Sequence, residues 1–252
     1  MPEHAFLDRR RRGLLVAGGT GVLAMALLRP WRALAQAATD SARPRIGIIG
    51  SGHLGGTVGG LWVKAGHPVL FSSRHPDELK DLVAGLGPLA RAGTVAQAID
   101  FGDVLFVAVP YGALPQLGRD YSDAIRGKTV LDACNAVAAR DGAIADEVER
   151  NGIGVTSQKY LPGSRLVRVF NTLSYTIFAR EAMRPDPRLA VPVAGDDLEA
   201  VRVAAALVRD AGFEPVVVGK LADARRFQRG GPGYGQSMSA AELRQKLSLA
   251  PS

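Results

Sequence analysis

Six residues, Gly50-Ser51-Gly52-His53-Leu54-Gly55, constrain this chain more than any other feature. They follow a short apolar run at residues 45–49 that reads as a strand, and they open a helical stretch over residues 53–65. A second strand, Val69-Leu70-Phe71, comes about 20 residues further on, which is the context a G-x-G-x-x-G needs to carry meaning. The physics assigns each glycine a task. Gly50 permits a tight turn, Gly52 lets backbone approach a pyrophosphate, and Gly55 lets helix and strand pack closely. Backbone N–H groups and the helix dipole would hold the phosphates. A purely structural glycine turn is the competing reading.

Downstream, short apolar β-branched runs alternate with helix-like stretches. Strands are expected at residues 104–109, 129–132, 166–170, 189–194 and 215–218. The unbroken run Val104-Leu105-Phe106-Val107-Ala108-Val109 suits a strand covered on both faces. Pro76-Asp77-Glu78 reads as a helix start, and residues 197–211 as a helix with one apolar stripe ending at Gly212. This alternation predicts a single α/β domain over residues 45–228, a Rossmann-like, doubly wound, mostly parallel sheet. Residues 229–252 read as a flexible glycine-rich stretch and a short helix begun by the capping box Ser239–Glu242.

The end of the second strand bears on the choice of nucleotide. An NAD-binding chain carries an acid there for the ribose hydroxyl. Here the residues are Ser72-Ser73-Arg74-His75, with no acid before Asp77. A serine hydroxyl and a guanidinium can hold a 2′-phosphate through charge-assisted hydrogen bonds, which favours NADP(H). The competing reading leaves Arg74 as a solvated loop residue.

The chain has 252 residues, a formal charge of +7 and a sequence pI near 9.9, which would suit a nucleic-acid binder. Much of that charge sits in residues 1–35, where six arginines face Glu3 and Asp8. That segment is laid out as an export signal: a basic stretch Arg9–Arg12, an apolar stretch of about 15 residues, and small-residue cleavage candidates at Ala33-Leu34-Ala35 and Ala35-Gln36-Ala37. The apolar stretch is shorter than the roughly 20 residues a membrane span needs. Arg11-Arg12-Gly13-Leu14-Leu15 resembles a twin-arginine signal. The expectation is therefore a periplasmic or exported protein that meets the membrane only through this signal, with residues 36–44 as linker. An uncleaved anchor or a cytoplasmic location is the alternative. The remaining charge forms no basic stripe interleaved with aromatics, so no nucleic-acid partner is expected. One cysteine, Cys134, and four unclustered histidines give no metal-ligand pattern, and no metal is expected.

Further motifs run in a familiar order: Gly50–Gly55, Ser73-Arg74, Ala108-Val109-Pro110, Asp132-Ala133-Cys134-Asn135, Val169-Phe170-Asn171-Thr172, residues 191–197 and Gly212-Phe213-Glu214-Pro215. Across residues 45–228 the chain resembles the coenzyme F420-dependent NADP oxidoreductases and their ferric-reductase relatives. The resemblance implies an NADP-dependent oxidoreductase that transfers hydride between nicotinamide and a flavin, deazaflavin or ferric acceptor. It implies that Ser51, His53 and Leu54 lie on the phosphate loop and that Ser73 and Arg74 hold the 2′-phosphate. Val109, Pro110 and Asn135 would line the ribose and nicotinamide, with Asn171 and Thr172 on the acceptor side. A homodimer fits the family, although the tail after Gln228 departs from the family's ending.

Hydride transfer needs alignment more than an acid or base, so no catalytic residue is assigned. His53 reads as phosphate cover, Tyr175 as a core tyrosine with a satisfied hydroxyl, and Cys134 as buried packing. Two other functions stay open: an NADP-linked imine or carbonyl reductase on the same fold, and a non-enzymatic nucleotide-binding protein.

Overall fold

The computed structural model describes residues 43–250, so the expected export signal and nearly all of the linker lie outside the described residues. The strands are β1 (Ile46–Ile49), β2 (Val69–Ser72), β3 (Ala90–Gly93), β4 (Val104–Val107), β5 (Thr129–Asp132), β6 (Arg165–Arg168), β7 (Ala190–Gly195) and β8 (Glu214–Gly219). The α-helices are α1 (His53–Lys64), α2 (Lys80–Leu86), α3 (Val95–Phe101), α4 (Leu114–Ile125), α5 (Ala138–Asp141), α6 (Ala143–Asn151), α7 (Ile153–Tyr160), α8 (Tyr175–Glu181), α9 (Leu198–Asp210) and α10 (Ala240–Lys246).

The strands form one sheet in the order β3-β2-β1-β4-β5-β6-β7-β8. All neighbours are parallel except β6 and β7, which run antiparallel. Alternate residues feed two cores. Ile46, Ile48, Val104 and Phe106 face one side with Trp62 and Val208, while Ile49, Leu105 and Val107 face the other with Leu114 and Val216. A sheet buried on both faces explains why its strands read as unbroken apolar runs.

Long-range polar ties fix the helices. The Trp62 indole N–H donates to the Leu207 carbonyl at 2.8 Å, joining α1 to α9. Buried His67 bridges the Pro44 carbonyl, at 3.1 Å, and the Asp210 carboxylate, at 2.9 Å.

Several boundaries differ from the sequence reading. β4 stops at Val107 and β6 at Arg168, two residues earlier than the apolar runs. After β4 Ala108 and Val109 leave the sheet half-buried, whereas after β6 the chain stays buried: Phe170 turns with φ +58° and packs edge-on against Trp62, Phe106, Phe178 and Phe213. β3 and α3 escaped notice because Ala90-Arg91-Ala92-Gly93 is a mostly exposed edge with little β-forming character. Pro76–Leu79 forms a 3₁₀ turn before α2 rather than an α-helical start.

The stretch after Gln228 is not the flexible segment its glycines suggested. Gly233 N–H donates to the Arg226 carbonyl at 2.9 Å, Gly235 N–H to the Thr172 carbonyl at 3.0 Å, and Ala190 N–H to the Met238 carbonyl at 2.8 Å. Leu243 and Leu247 of the tail are buried in the second core. Glycine here serves close backbone packing: an added Cβ on Gly231 would meet the Arg225 carbonyl at 2.7 Å. Among the described residues no helix is long and apolar enough to cross a membrane.

Candidate functional site

Five strands end level with one another. Ile49 pairs with Ser72 and Val107, Val107 with Asp132, and Asp132 with Arg168. The loops that follow therefore emerge along one edge: Gly50–Gly52, Ser73–Arg74, Ala108–Pro110, Cys134–Asn135 and Phe170–Thr172. Strand order reverses between β1 and β4, and in open α/β sheets ligands bind at such a switch point.

The three glycines of the loop stand in different surroundings. Gly50 has φ +95°, and a Cβ there would meet the Ala108 carbonyl at 2.6 Å and Val109 Cγ1 at 2.7 Å. A Cβ on Gly55 would overlap the Gly50 carbonyl oxygen. Around Gly52 there is open space, with nothing within 4 Å of where a Cβ would stand. No side chain caps α1 and no acid sits in its first turn, so its N–H groups and positive end stay available. Ser51 N–H donates to the Ser72 carbonyl at 3.1 Å, yet Ser51 Oγ is buried without a partner among the described residues. An orphaned buried hydroxyl beside an open backbone cradle fits a phosphate.

At the β2 end, Ser73 Oγ accepts from His75 N–H at 3.0 Å. Arg74 is exposed and forms no ion pair among the described residues. Leu54 turns its side chain onto the core, so it can serve a ligand only through its backbone. His53 stacks on Tyr175, with ring centroids 4.5 Å apart and planes 11° from parallel. That corrects the expectation of a core tyrosine: Tyr175 is 37% exposed and its hydroxyl has no partner among the described residues. The helix start at Tyr175 was not legible as a neighbour of His53, because 122 positions separate them.

The other side of the site is tied up internally. Asn135 Nδ2 donates to the Asn171 carbonyl at 2.6 Å, and Asn171 Nδ2 donates to the Phe227 carbonyl at 3.1 Å. Asn171 Oδ1 is buried and has no partner. Asn171 and Thr172 are each 2% exposed, so neither offers an open surface, and Thr172 contributes its carbonyl to the tail. Val109 is half-buried and Pro110 exposed. Arg140 Nη2 donates to the Asn135 carbonyl at 2.7 Å. Asp141 accepts from Val137 N–H at 2.8 Å and Gly112 N–H at 3.2 Å. The Arg140 guanidinium, with those two N–H groups, holds the Asp141 carboxyl below the usual carboxylate range.

Sequence reasoning missed Gln228, Arg168 and a cavity that begins at Ala136, the residue after Asn135. That cavity, about 330 Å³, lies among Ala136, Ala138, Val148, Glu149, Gln228 and Arg229. Gln228 is 7% exposed; its Oε1 accepts from Ile153 N–H at 3.0 Å, and its carboxamide nitrogen is free among the described residues. Another depression, of about 360 Å³, lies elsewhere, between α4 and α7, and touches none of the five loops. Cys134 is buried; desolvation, then Asp132, pushes its thiol up and leaves it unreactive.

Strand order, switch point and glycine loop together define a dinucleotide-binding domain of the Rossmann type. Residues 45–136 match the sequence pattern of the family described as NADP oxidoreductase, coenzyme F420-dependent. It is 31% identical over 193 residues to metalloreductase STEAP3 of Rattus norvegicus, covering 73% of this chain and 36% of that protein. The chain thus spans about a third of that relative's length. A solved structure of a hypothetical protein from Sinorhizobium meliloti superposes with a TM-score of 0.68 at 27% identity, covering 81% of this chain and 98% of the other. Another, from Arthrobacter sp. FB24 and assigned as an F420-dependent NADP-reductase, gives 0.63 at 21% identity over 72% and 87% of the two chains, a likeness of fold.

Proposed function

We propose that the chain is an NADP(H)-dependent reductase that delivers hydride to a flavin- or deazaflavin-like acceptor seated beside Asn135 and Gln228. The observation that carries this reading is the open glycine cradle with its orphaned Ser51 hydroxyl, next to an uncommitted Arg74. Gly50, Ser51, Gly52 and His53, with the backbone of Leu54 and Gly55, hold the pyrophosphate; Ser73 and Arg74 hold the 2′-phosphate. Val109, Pro110 and Asn135 flank the nicotinamide. Asn171 supports that wall from behind through its carbonyl, which accepts from Asn135 Nδ2. Thr172 holds the tail against the same wall.

When bound, the nicotinamide supplies the hydride. The protein's part is to align donor and acceptor and keep water away, a task that calls for no acid–base dyad. The cavity offers a donor in the Gln228 carboxamide and apolar walls in Ala136, Ala138 and Val148, which suit a flat heteroaromatic ring with carbonyl groups. Following NADPH oxidation against a flavin, a deazaflavin and a ferric chelate tests this. Turnover with a ring acceptor is expected; no oxidation with any acceptor contradicts it.

Tyr175 supports a second reading, in which the exposed hydroxyl donates a proton to an imine or carbonyl. Under that reading Tyr175→Phe abolishes turnover with such substrates; under the first it leaves ring-acceptor turnover within about threefold.

We also propose that the twin-arginine-like segment carries the folded, NADP(H)-loaded domain to the periplasm. Such a protein must recycle its nicotinamide in place. Cofactor-free protein in a periplasmic fraction, or protein retained in the cytoplasm, contradicts this.

A further inference from the structure

Beneath the acceptor wall lies a pair of charges that the reaction itself does not call for. Asp132, the last residue of β5, and Arg168, the last of β6, are both 0% exposed and meet at 2.5 Å. Their remaining contacts converge on one residue. Asp132 Oδ1 accepts from Cys134 N–H at 2.8 Å, and Arg168 Nη2 donates to the Cys134 carbonyl at 2.7 Å. Both peptide groups of Cys134 are thereby held from below. The next residue, Asn135, reaches across to Asn171, three residues beyond Arg168.

A purely structural role explains this poorly. β5 and β6 already share a parallel ladder from Thr129–Arg165 to Asp132–Arg168. Burying an ion pair stabilises little, because the desolvation cost offsets the attraction. Here Arg168 Nε, Arg168 Nη1 and Asp132 Oδ2 have no hydrogen-bond partner among the described residues, so the two side chains meet by charge alone. The pair makes its hydrogen bonds to the loop beyond the strands. Phe170 is held at φ +58° between the pair and Asn171, so the second loop is constrained too.

We infer that the buried Asp132–Arg168 pair is a positioning device that clamps the Cys134 peptide groups and so sets how the Asn135 and Asn171 loops face the nicotinamide. The inference rests on the proposed reductase reading for its function, and on the geometry alone for the clamp. Asp132 and Arg168 touch neither cofactor nor acceptor; they act through Asn135 and Asn171.

The decisive protein is the full chain carrying Asp132→Leu with Arg168→Met, since replacing both members of a buried pair by apolar residues often keeps or raises stability. Four readouts separate the possibilities: thermal midpoint, affinity for 2′-phospho-ADP-ribose, amide exchange at residues 134–136 and 170–172, and NADPH turnover. The fragment lacks nicotinamide, so its affinity reports the glycine loop and the Ser73–Arg74 end and leaves out the wall. The expected result is an unchanged or higher midpoint and fragment affinity within about twofold. Exchange in both loops rises about tenfold or more, and kcat falls about 10- to 100-fold, the scale of an ångström's misplacement. A folded double variant with parental exchange and kcat overturns the inference. Should that variant not fold, Arg168→Lys keeps the charge but removes the N–H that holds the Cys134 carbonyl. Faster loop exchange at a near-parental midpoint is then expected, and unchanged exchange overturns the clamp. A parent protein that binds the fragment but never oxidises NADPH defeats the reductase reading, while loop exchange still judges the clamp.

Discussion

The two halves of the site are built in opposite ways. On the β1–β2 side the polar groups are left uncommitted: the α1 N-terminus is uncapped, Ser51 Oγ has no partner, and Arg74 has no ion pair among the described residues. On the β5–β6 side almost every polar group is spent on another part of the chain: Asn135 on Asn171, Asn171 on Phe227, Gln228 on Ile153, and Arg168 on Cys134. In the proposed function the first half is the socket for a ligand that brings its own charge. The second is a rigid wall whose use depends on being held still.

The largest effects should break the socket, and they should divide by glycine. Gly55→Val drives a side chain into the Gly50 carbonyl and should cost about 3 kcal/mol or more, seen as a large fall in thermal midpoint. Gly52→Val places its Cβ in open space, so its midpoint should stay within a few degrees of the parent's. Its affinity for NADPH should nevertheless fall about a hundredfold or more, because the side chain fills the cradle. Equal effects at the two positions would dissolve the distinction between packing and ligand glycines.

Next, Arg74→Ala should erase the preference for NADPH over NADH by about 1.5–3 kcal/mol, measured as the ratio of dissociation constants. An unchanged ratio would leave Arg74 as solvated surface. On the wall side, Gln228→Leu strips the Ile153 N–H of its acceptor and should cost about 1–3 kcal/mol of stability. It should raise the KM of the acceptor while NADPH affinity stays at the parental value. A change in NADPH affinity instead would join Gln228 to the socket.

The smallest effect is that of pH. Asp141 has a lowered pKa because Arg140 and two backbone N–H groups favour its ionised form. Its contribution is therefore fully present above the ordinary carboxylate pKa of about 3.9 and lost as pH falls through the lowered value. Amide exchange near Asn135, corrected for intrinsic rates, should stay flat from pH 7 to about 5 and rise only below about 4. Asp141→Asn should show fast exchange at every pH.

The same contrast governs what the sequence could reveal. The socket was legible because its parts are close in sequence: a strand, three glycines with distinct steric tasks, and a serine–arginine pair at the next strand end. The wall was legible only through resemblance, as Asn135 and Asn171, because its bonds span 36 positions from Asn135 to Asn171 and 75 from Ile153 to Gln228. No local pattern announces such pairings. Arg168 sat inside an apolar run and gave no sign of being a buried partner for Asp132. Tyr175 read as core until α8 brought it onto His53. The tail read as flexible because glycine signals both mobility and close packing, and only contacts distinguish them.

Equilibrium titration of the full chain with NADPH and with NADH tests the central claim most directly. NADPH should bind at least about tenfold more tightly, since a 2′-phosphate would find Ser73 and Arg74 waiting for it. Equal affinity for the two nucleotides, or binding of neither, would contradict the account.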